Sequence, residues 1–135
     1  MRTLKLVVYS FALILMLYSC SPDNSAPIAG KGGNATLTLN LKHHGVGHNL
    51  INSKVYVKYN AQDVPSNRLY DDSLTAIEDA SDTLQIAVFS GLKNGNYYFY
   101  GTGYDTSIFK PVYGGIPFKI TLQSTQAYDL PVSED

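Results

Sequence analysis

The amino-acid sequence predicts an all-β domain, an antiparallel β-sandwich, that follows a short leader and a tether. Three observations lead to this expectation. Apolar and polar residues alternate over several short runs, as in strands with one buried face. Glycine, asparagine and proline separate these runs, as they do at turns. After residue 19, no run has its apolar residues at helical spacing.

The first 19 residues are interpreted as a signal peptide. Arg2 and Lys5 form a short basic segment. The apolar run 6–17 that follows is too short to span a bilayer. The next residues, Leu-Tyr-Ser-Cys, resemble the lipobox of bacterial lipoproteins. That resemblance implies cleavage before Cys20, a diacylglyceryl thioether on its sulfur and a fatty-acylated N-terminus. The alternatives are an ordinary secretory signal and a core helix.

The residues after the cleavage site predict a lipid-tethered envelope protein. Ser21, rather than aspartate, follows Cys20, which by the rule known for enteric bacteria implies the outer membrane. Residues 20–33 are rich in proline, glycine and serine and predict a flexible tether ahead of a domain over 34–135. Cleavage leaves eight basic and eleven acidic residues, a net charge of −3, which argues against a nucleic-acid partner. Cys20 is the only cysteine, so an internal disulfide is excluded.

The domain begins with two alternating strands. In the run 35–42, Leu37, Leu39 and Leu41 share one face. A turn over 43–49 leads to the second strand. Its inward residues are Val55, Val57 and Tyr59, and its outward residues are Lys54, Tyr56 and Lys58.

The segment 60–82 is too long for a structureless loop in a compact domain, so it predicts short local structure. We interpret Arg68–Tyr70 as a brief edge strand. We interpret Ser73–Ile77 as a helical turn. Leu84, Ile86 and Val88 alternate with polar or small residues and predict the inward face of the next strand. Asn94-Gly95 then predicts a tight two-residue hairpin, because both residues tolerate positive φ.

The remaining chain predicts three more strands. The segment 108–113 is short and contains Pro111, which suits a sheet edge. Gly114-Gly115 predicts a turn. The inward residues of the following strand are expected to be Phe118, Ile120 and Leu122, and those of the last strand Tyr128, Leu130 and Val132.

One stretch resembles a known family. Residues 89–100, Phe-Ser-Gly-Leu-Lys-Asn-Gly-Asn-Tyr-Tyr-Phe-Tyr, are similar to the F-x-x-L-x-x-G-x-Y-x-L pattern of carboxypeptidase-regulatory-like and collagen-adhesin B-type domains. Residues 49–57 are similar to the segment before it in that family. The resemblance covers roughly 34–132 and implies a transthyretin-like sandwich of about seven strands, with Tyr97 and Phe99 inside. Together with the lipobox, it resembles small envelope lipoproteins of Bacteroidetes-type bacteria.

The expected core combines this resemblance with the alternation of the strands. Its members are Leu37, Leu39, Val55, Val57, Ile86, Val88, Tyr97, Phe99, Ile120 and Leu130.

The sequence offers no catalytic set. His43, His44 and His48 lie in a glycine-rich turn, which we interpret as solvated, so no metal ligand and no cofactor is assigned. The acidic segment 60–82 carries oxygen ligands that suit calcium, but it lacks the spacing of an EF-hand and is interpreted as a solvated loop. No nucleophile elbow and no free thiol is present.

The tyrosines are the best indication of function. If Tyr97 and Phe99 face inward, Tyr98 and Tyr100 face outward beside Tyr56, and the three predict an aromatic binding surface. Cross-strand packing that only stabilises the sheet is the alternative. The sequence thus predicts a lipid-anchored, non-enzymatic envelope module that binds an envelope protein or carbohydrate, or serves as a structural accessory. The alternative function is a metal-dependent or hydrolytic envelope enzyme.

Overall fold

A computed structural model describes residues 26–47 and 49–135 of the chain. The predicted signal peptide, Cys20, the first residues of the tether and His48 lie outside the described residues. The strands are β1 (Lys31–His43), β2 (Leu50–Tyr59), β3 (Asp72–Thr75), β4 (Ile77–Glu78), β5 (Gln85–Leu92), β6 (Gly95–Asp105), β7 (Lys110–Ile120) and β8 (Thr125–Val132). The described part contains no helix with the length and apolar character needed to cross a membrane.

The strands form two four-stranded sheets, so the all-β prediction is confirmed. The order is β4-β5-β1-β8 in the first sheet and β3-β2-β6-β7 in the second. All neighbours pair antiparallel except β1 and β8, which are parallel. A bridge between Tyr113 and Ser133 joins the two sheets along one side. The architecture is that of a β-sandwich.

The core lies between the sheets and contains the expected leucines of β1 and valines of β2. Tyr97 and Phe99 are fully buried, with their rings stacked at 5.9 Å between centroids. The other predicted core residues confirmed as buried are Leu37, Leu39, Val55, Val57, Ile120 and Leu130. The domain also begins earlier than predicted, because Ala29 is already buried and β1 starts at Lys31.

The prediction that Leu84, Ile86 and Val88 face inward is wrong. Ala87 lies opposite Leu39 and Phe89 opposite Leu37 in the antiparallel pair of β1 and β5. Because directly opposed residues share a face, the inward leucines of β1 bring Ala87 and Phe89 inward too. Phe89 is fully buried, whereas Val88 is 42% exposed.

The prediction of a two-residue hairpin at Asn94-Gly95 is also wrong. β5 and β6 belong to different sheets, so the connection crosses between the layers. Asn94 does not have positive φ, whereas Gly95 has φ +147°. A Cβ on Gly95 would lie 2.7 Å from the backbone nitrogen of Ala29, so the close approach of these two segments requires glycine there.

The segment 60–82 contains neither the predicted edge strand at 68–70 nor the predicted helical turn at 73–77. Residues 68–70 are loop, and β3 and β4 occupy the edges of different sheets. Ala76 lies between these two strands, is buried, and donates its N–H to the carbonyl of Ser53. Two short edge strands therefore replace the turn, because this segment crosses from one sheet to the other.

The predicted turn at Gly114-Gly115 is wrong, because β7 runs through both glycines without a break. A Cβ on Gly114 would overlap the carbonyl oxygen of Pro131 in β8, so glycine serves close strand approach here. Two predicted inward residues near this edge are exposed: Leu122 by 64% and Tyr128 by 54%. Phe118 is partly buried against the core and meets the Tyr128 ring edge-on.

Candidate functional site

Two groups of side chains outside the core are candidates for function. The first, here called the tyrosine face, consists of Tyr56, Tyr70, Tyr98 and Tyr100 on the outer side of the second sheet. The second, here called the histidine cluster, consists of His43, His44, Asp105 and Glu134.

The tyrosine face is built by two strands and one loop. Tyr56 and Tyr100 lie opposite each other in the pair of β2 and β6. The loop after β2 folds back and places the Tyr70 ring 5.3 Å from the Tyr56 ring and 5.8 Å from the Tyr100 ring, centroid to centroid. Tyr70 and Tyr100 are nearly parallel, with 18° between their planes. Tyr56, Tyr70 and Tyr100 are each half-buried, so parts of three neighbouring side chains remain accessible on this face.

Tyr98 does not belong to that accessible surface. It faces outward as predicted, but it is only 6% exposed. A Cβ on Gly115 would lie 2.5 Å from the Tyr98 hydroxyl oxygen, so this side chain lies directly against the backbone of β7. Burial raises the pKa of Tyr98, with smaller contributions from Asp63 and Tyr100. The expectation of an exposed Tyr98 is therefore wrong, and its ring packs on the sheet.

The loop that carries Tyr70 is held by its own carboxylate. Asp71 accepts hydrogen bonds from Lys58 Nζ at 2.8 Å and from the backbone N–H of Tyr59 at 2.6 Å. Burial alone would raise the pKa of Asp71, but these two hydrogen bonds and the charge of Lys58 hold it below its ordinary value. The neighbouring Asp72 forms an ion pair with Lys31 at 3.1 Å. These contacts fix Tyr70 over the sheet.

A shallow cleft of about 370 Å³ lies beside the tyrosine face. It is lined by Tyr56, Arg68, Leu69, Tyr70, Asp71, Asp72 and Ser73. Leu69 is 63% exposed and adds an apolar side chain to this cleft. The Tyr70 hydroxyl is buried and has no hydrogen-bond partner among the described residues. Burial and the nearby Tyr100 raise its pKa, while Arg68 opposes that rise.

Sequence reasoning missed Leu69 and Tyr70 as parts of this surface, because it placed both in an edge strand. The signal available was an apolar pair, Leu69-Tyr70, inside a polar segment and followed directly by two aspartates. The acidic side chains of 60–82 are not gathered into a possible metal group within the described part of the chain.

The histidine cluster lies where β1, β6 and the residues after β8 meet. His43 is buried, and its Nδ1 lies 2.7 Å from Asp105 Oδ2. On the opposite side of the ring, His43 Nε2 lies 2.5 Å from Glu134 Oε2. The expectation of a solvated turn is therefore wrong for His43, the last residue of β1, which faces inward like Leu37, Leu39 and Leu41. His44 is 73% exposed at its side chain, as expected for a turn.

Charge and hydrogen bonding hold this cluster together. Asp105 is buried, and its Oδ1 accepts hydrogen bonds from both the N–H and the hydroxyl of Ser107. The Ser107 hydroxyl is the largest influence on the pKa of Asp105, which falls to about 2 with the help of His43 although burial opposes it. Burial alone would lower the pKa of His43, but its hydrogen bonds with Asp105 and Glu134 raise it. Asp105 is therefore a fixed anion behind the imidazole.

The histidine cluster does not have the arrangement of a nucleophilic triad. A serine nucleophile donates its hydroxyl proton to the histidine, whose other nitrogen is held by the acid. Here the Ser107 hydroxyl donates to Asp105, and a carboxylate lies at each nitrogen of His43. The arrangement can bind a cation or hold two chain segments together.

Comparison of the chain with protein-family models, with curated proteins and with solved structures gave no match.

Proposed function

We propose that this chain is a lipid-anchored, non-enzymatic module of the cell envelope that binds a protein partner through its tyrosine face and the adjoining cleft. The observation that carries the proposal is the composition of that surface. It combines half-buried tyrosines with the exposed Leu69 and the guanidinium of Arg68. Tyrosine and arginine are enriched where proteins bind one another.

The anchor rests on the lipobox-like sequence before Cys20. Lipidation of a cysteine at that position would join the domain to a membrane through the short segment ahead of Lys31, where β1 begins. Several acyl chains on one residue hold a protein at a membrane far more durably than one chain does. Ser21 supports sorting to the outer membrane by the enteric rule.

We further propose that the sandwich is of the transthyretin-like type found in carboxypeptidase-regulatory-like and collagen-adhesin B-type domains. Support comes from the residues that carry the resemblance. All five motif positions are buried. Phe89, Leu92, Tyr97 and Phe99 belong to the core, and Gly95 lies against Ala29. The motif residues therefore pack inside the domain. This agrees with a motif that is typical of a fold rather than of an activity.

A protein partner suits the cleft better than a carbohydrate does. Carbohydrate sites use the open faces of aromatic rings, whereas here the Tyr70 and Tyr100 rings stack on each other. The cleft also offers an exposed aliphatic side chain, that of Leu69, and paired charges such as Lys58 and Asp71. An apolar centre with a charged rim is the usual composition of a protein interface.

The test is a pull-down from detergent-solubilised envelopes with wild-type protein, Leu69→Asp and Leu122→Asp. Leu122 is the matched control, because it is 64% exposed and lies outside this surface. We expect Leu69→Asp to lose the partner while Leu122→Asp retains it, with circular dichroism showing that both variants are folded.

Protease treatment of the envelopes before capture should abolish recovery of the partner, whereas periodate oxidation of glycans should leave it unchanged. Equal recovery by the two variants would contradict the proposed surface. Sensitivity to periodate alone would indicate a carbohydrate ligand and contradict the protein partner.

A further inference from the structure

We propose that His43, His44 and Glu134 form a binding site for a divalent transition metal such as Zn²⁺, which joins the end of β1 to the residues after β8. One ligand atom from each of these three residues lies within 4.8 Å of the others. Two imidazole nitrogens and a carboxylate oxygen are a donor set that binds Zn²⁺, with water as a further ligand.

The distances are close to those a bound metal requires. With ligand bonds of about 2.0–2.2 Å, neighbouring ligand atoms of a tetrahedral site lie about 3.3–3.6 Å apart. His44 Nε2 and Glu134 Oε2 are separated by 3.6 Å, which already fits. His43 Nε2 and Glu134 Oε2 are at hydrogen-bond distance, 2.5 Å, and would have to separate by about 1 Å. The Glu134 side chain is 31% exposed and lies beyond the last strand, so it has room for this movement.

The setting of His43 matches that of a metal-ligating histidine. Such histidines commonly donate the N–H of their other ring nitrogen to a carboxylate, which fixes the tautomer and the ring orientation. Asp105 occupies that position, 2.7 Å from Nδ1, and it is itself held by the N–H and the hydroxyl of Ser107. His43 Nε2 is thereby aimed at Glu134, and the centroid of the His44 ring lies 4.1 Å from that of the His43 ring.

The charge of the site also favours a cation. Asp105 and Glu134 place two carboxylates on opposite sides of one imidazole. Lys42, which precedes His43 in the sequence, forms its ion pair with Asp129 at 2.9 Å and not with Asp105 or Glu134. The exposed position of His44 gives a metal ion access from solvent.

The inference is tested by calorimetric titration of ZnCl₂ into the full chain, purified in detergent and freed of metal with a chelator. Wild-type protein should bind one Zn²⁺ per chain. His44→Ala and Glu134→Gln should each weaken binding by at least about tenfold, because loss of even an outer-shell partner of a metal ligand costs roughly that much. Glu78→Gln, an exposed carboxylate in β4, is the control and should bind as wild type does.

Two further readouts separate a metal site from a purely structural contact. Zn²⁺ should raise the thermal unfolding midpoint of wild type but not of His44→Ala, because a ligand that binds only the folded state stabilises it. Co²⁺ bound in place of Zn²⁺ should give a visible absorption band that is lost in Glu134→Gln. Absence of stoichiometric binding by wild type, or equal affinity in all variants, would overturn the proposal.

Discussion

At the scale of single residues, the centre of the molecule is the aromatic pair of β6. Tyr97 and Phe99 alternate with Tyr98 and Tyr100, and the four rings divide between the core and the outer face because successive strand residues point to opposite sides. The Phe99 ring also lies 5.3 Å from the Phe89 ring of the other sheet. This pair therefore connects the two layers.

Phe99→Ala should lower the free energy of unfolding by about 3–5 kcal/mol, because it removes a fully buried ring and leaves a cavity between the sheets. Urea denaturation followed by circular dichroism measures the loss. A denaturation midpoint equal to that of wild type would show that burial of the Phe99 ring does not contribute this much to the free energy of unfolding.

Tyr97→Phe tests the polar end of the same core. The Tyr97 hydroxyl accepts the N–H of Gly30 at 3.0 Å and donates to the carbonyl of Lys93 at 2.7 Å, so it ties the start of β1 to the β5–β6 connection. Its removal leaves buried backbone groups without this partner and should cost about 1–3 kcal/mol. Tyr128→Phe, at an exposed position, is the control and should change the urea midpoint little.

At the scale of the elements, the loop between β2 and β3 shows how a segment without regular structure is fixed. Its backbone is bonded to β2 through the N–H of Asp71, which donates to the carbonyl of Val57 at 2.9 Å. Its side chains are bonded to β2 through Asp71, which binds Lys58 and Tyr59. The accessible part of the tyrosine face therefore depends on a carboxylate.

This carboxylate predicts a dependence of stability on pH. The pKa of Asp71 is lower in the folded state than its ordinary value of 3.8. The stabilisation that Asp71 contributes is therefore present above about pH 4 and is lost as the pH falls through the folded-state pKa. Asp71→Asn should lower the urea midpoint at pH 7, and the difference from wild type should shrink toward pH 2. A difference independent of pH would exclude the charge of Asp71 as its cause.

Alternation in the sequence determines the inward residues of a strand only where one of its two faces is apolar. In β1 and β2, only one face is apolar, so alternation gave the correct orientation for Leu37 and Val55. In β5, both faces carry apolar residues, and the pairing of Ala87 with Leu39 decides which face is buried. Such pairing is a long-range contact that local alternation does not contain.

Glycine also led to a wrong prediction, because it occurs both at turns and inside strands whose backbone is closely approached by other groups. Gly114 and Gly115 predict a turn by composition, yet both lie inside β7, where β8 and the Tyr98 ring approach the backbone.

The sequence predicts Tyr56 and Tyr100 as parts of the candidate surface. It does not predict Leu69 and Tyr70, because a loop brings these two residues to the sheet. His43 was missed for a related reason: its partners, Asp105 and Glu134, are far away along the chain.

At the scale of the whole molecule, the proposed anchor and the proposed binding surface belong to separate parts of the chain. Cys20→Ala should release the protein from the membrane fraction, because an unlipidated chain would lose the acyl chains that hold it. Ultracentrifugation of cell envelopes with immunoblotting measures the distribution. Leu69→Asp is a suitable control that should remain in the pellet. A processed Cys20→Ala protein that still sediments with membranes would contradict the lipoprotein assignment.

The parallel pairing of β1 with β8 has a consequence for how the chain folds. Paired residues such as Asn40 and Asp129 are 89 positions apart, so the first sheet closes a loop that includes nearly the whole domain. Closure of long loops costs chain entropy before contacts repay it, and domains with many distant pairings fold slowly. A nascent chain that ends before residue 125 lacks the strand that completes this sheet. It therefore keeps an edge of β1 unpaired, and that open edge is the place where such an intermediate would aggregate or be bound by a chaperone.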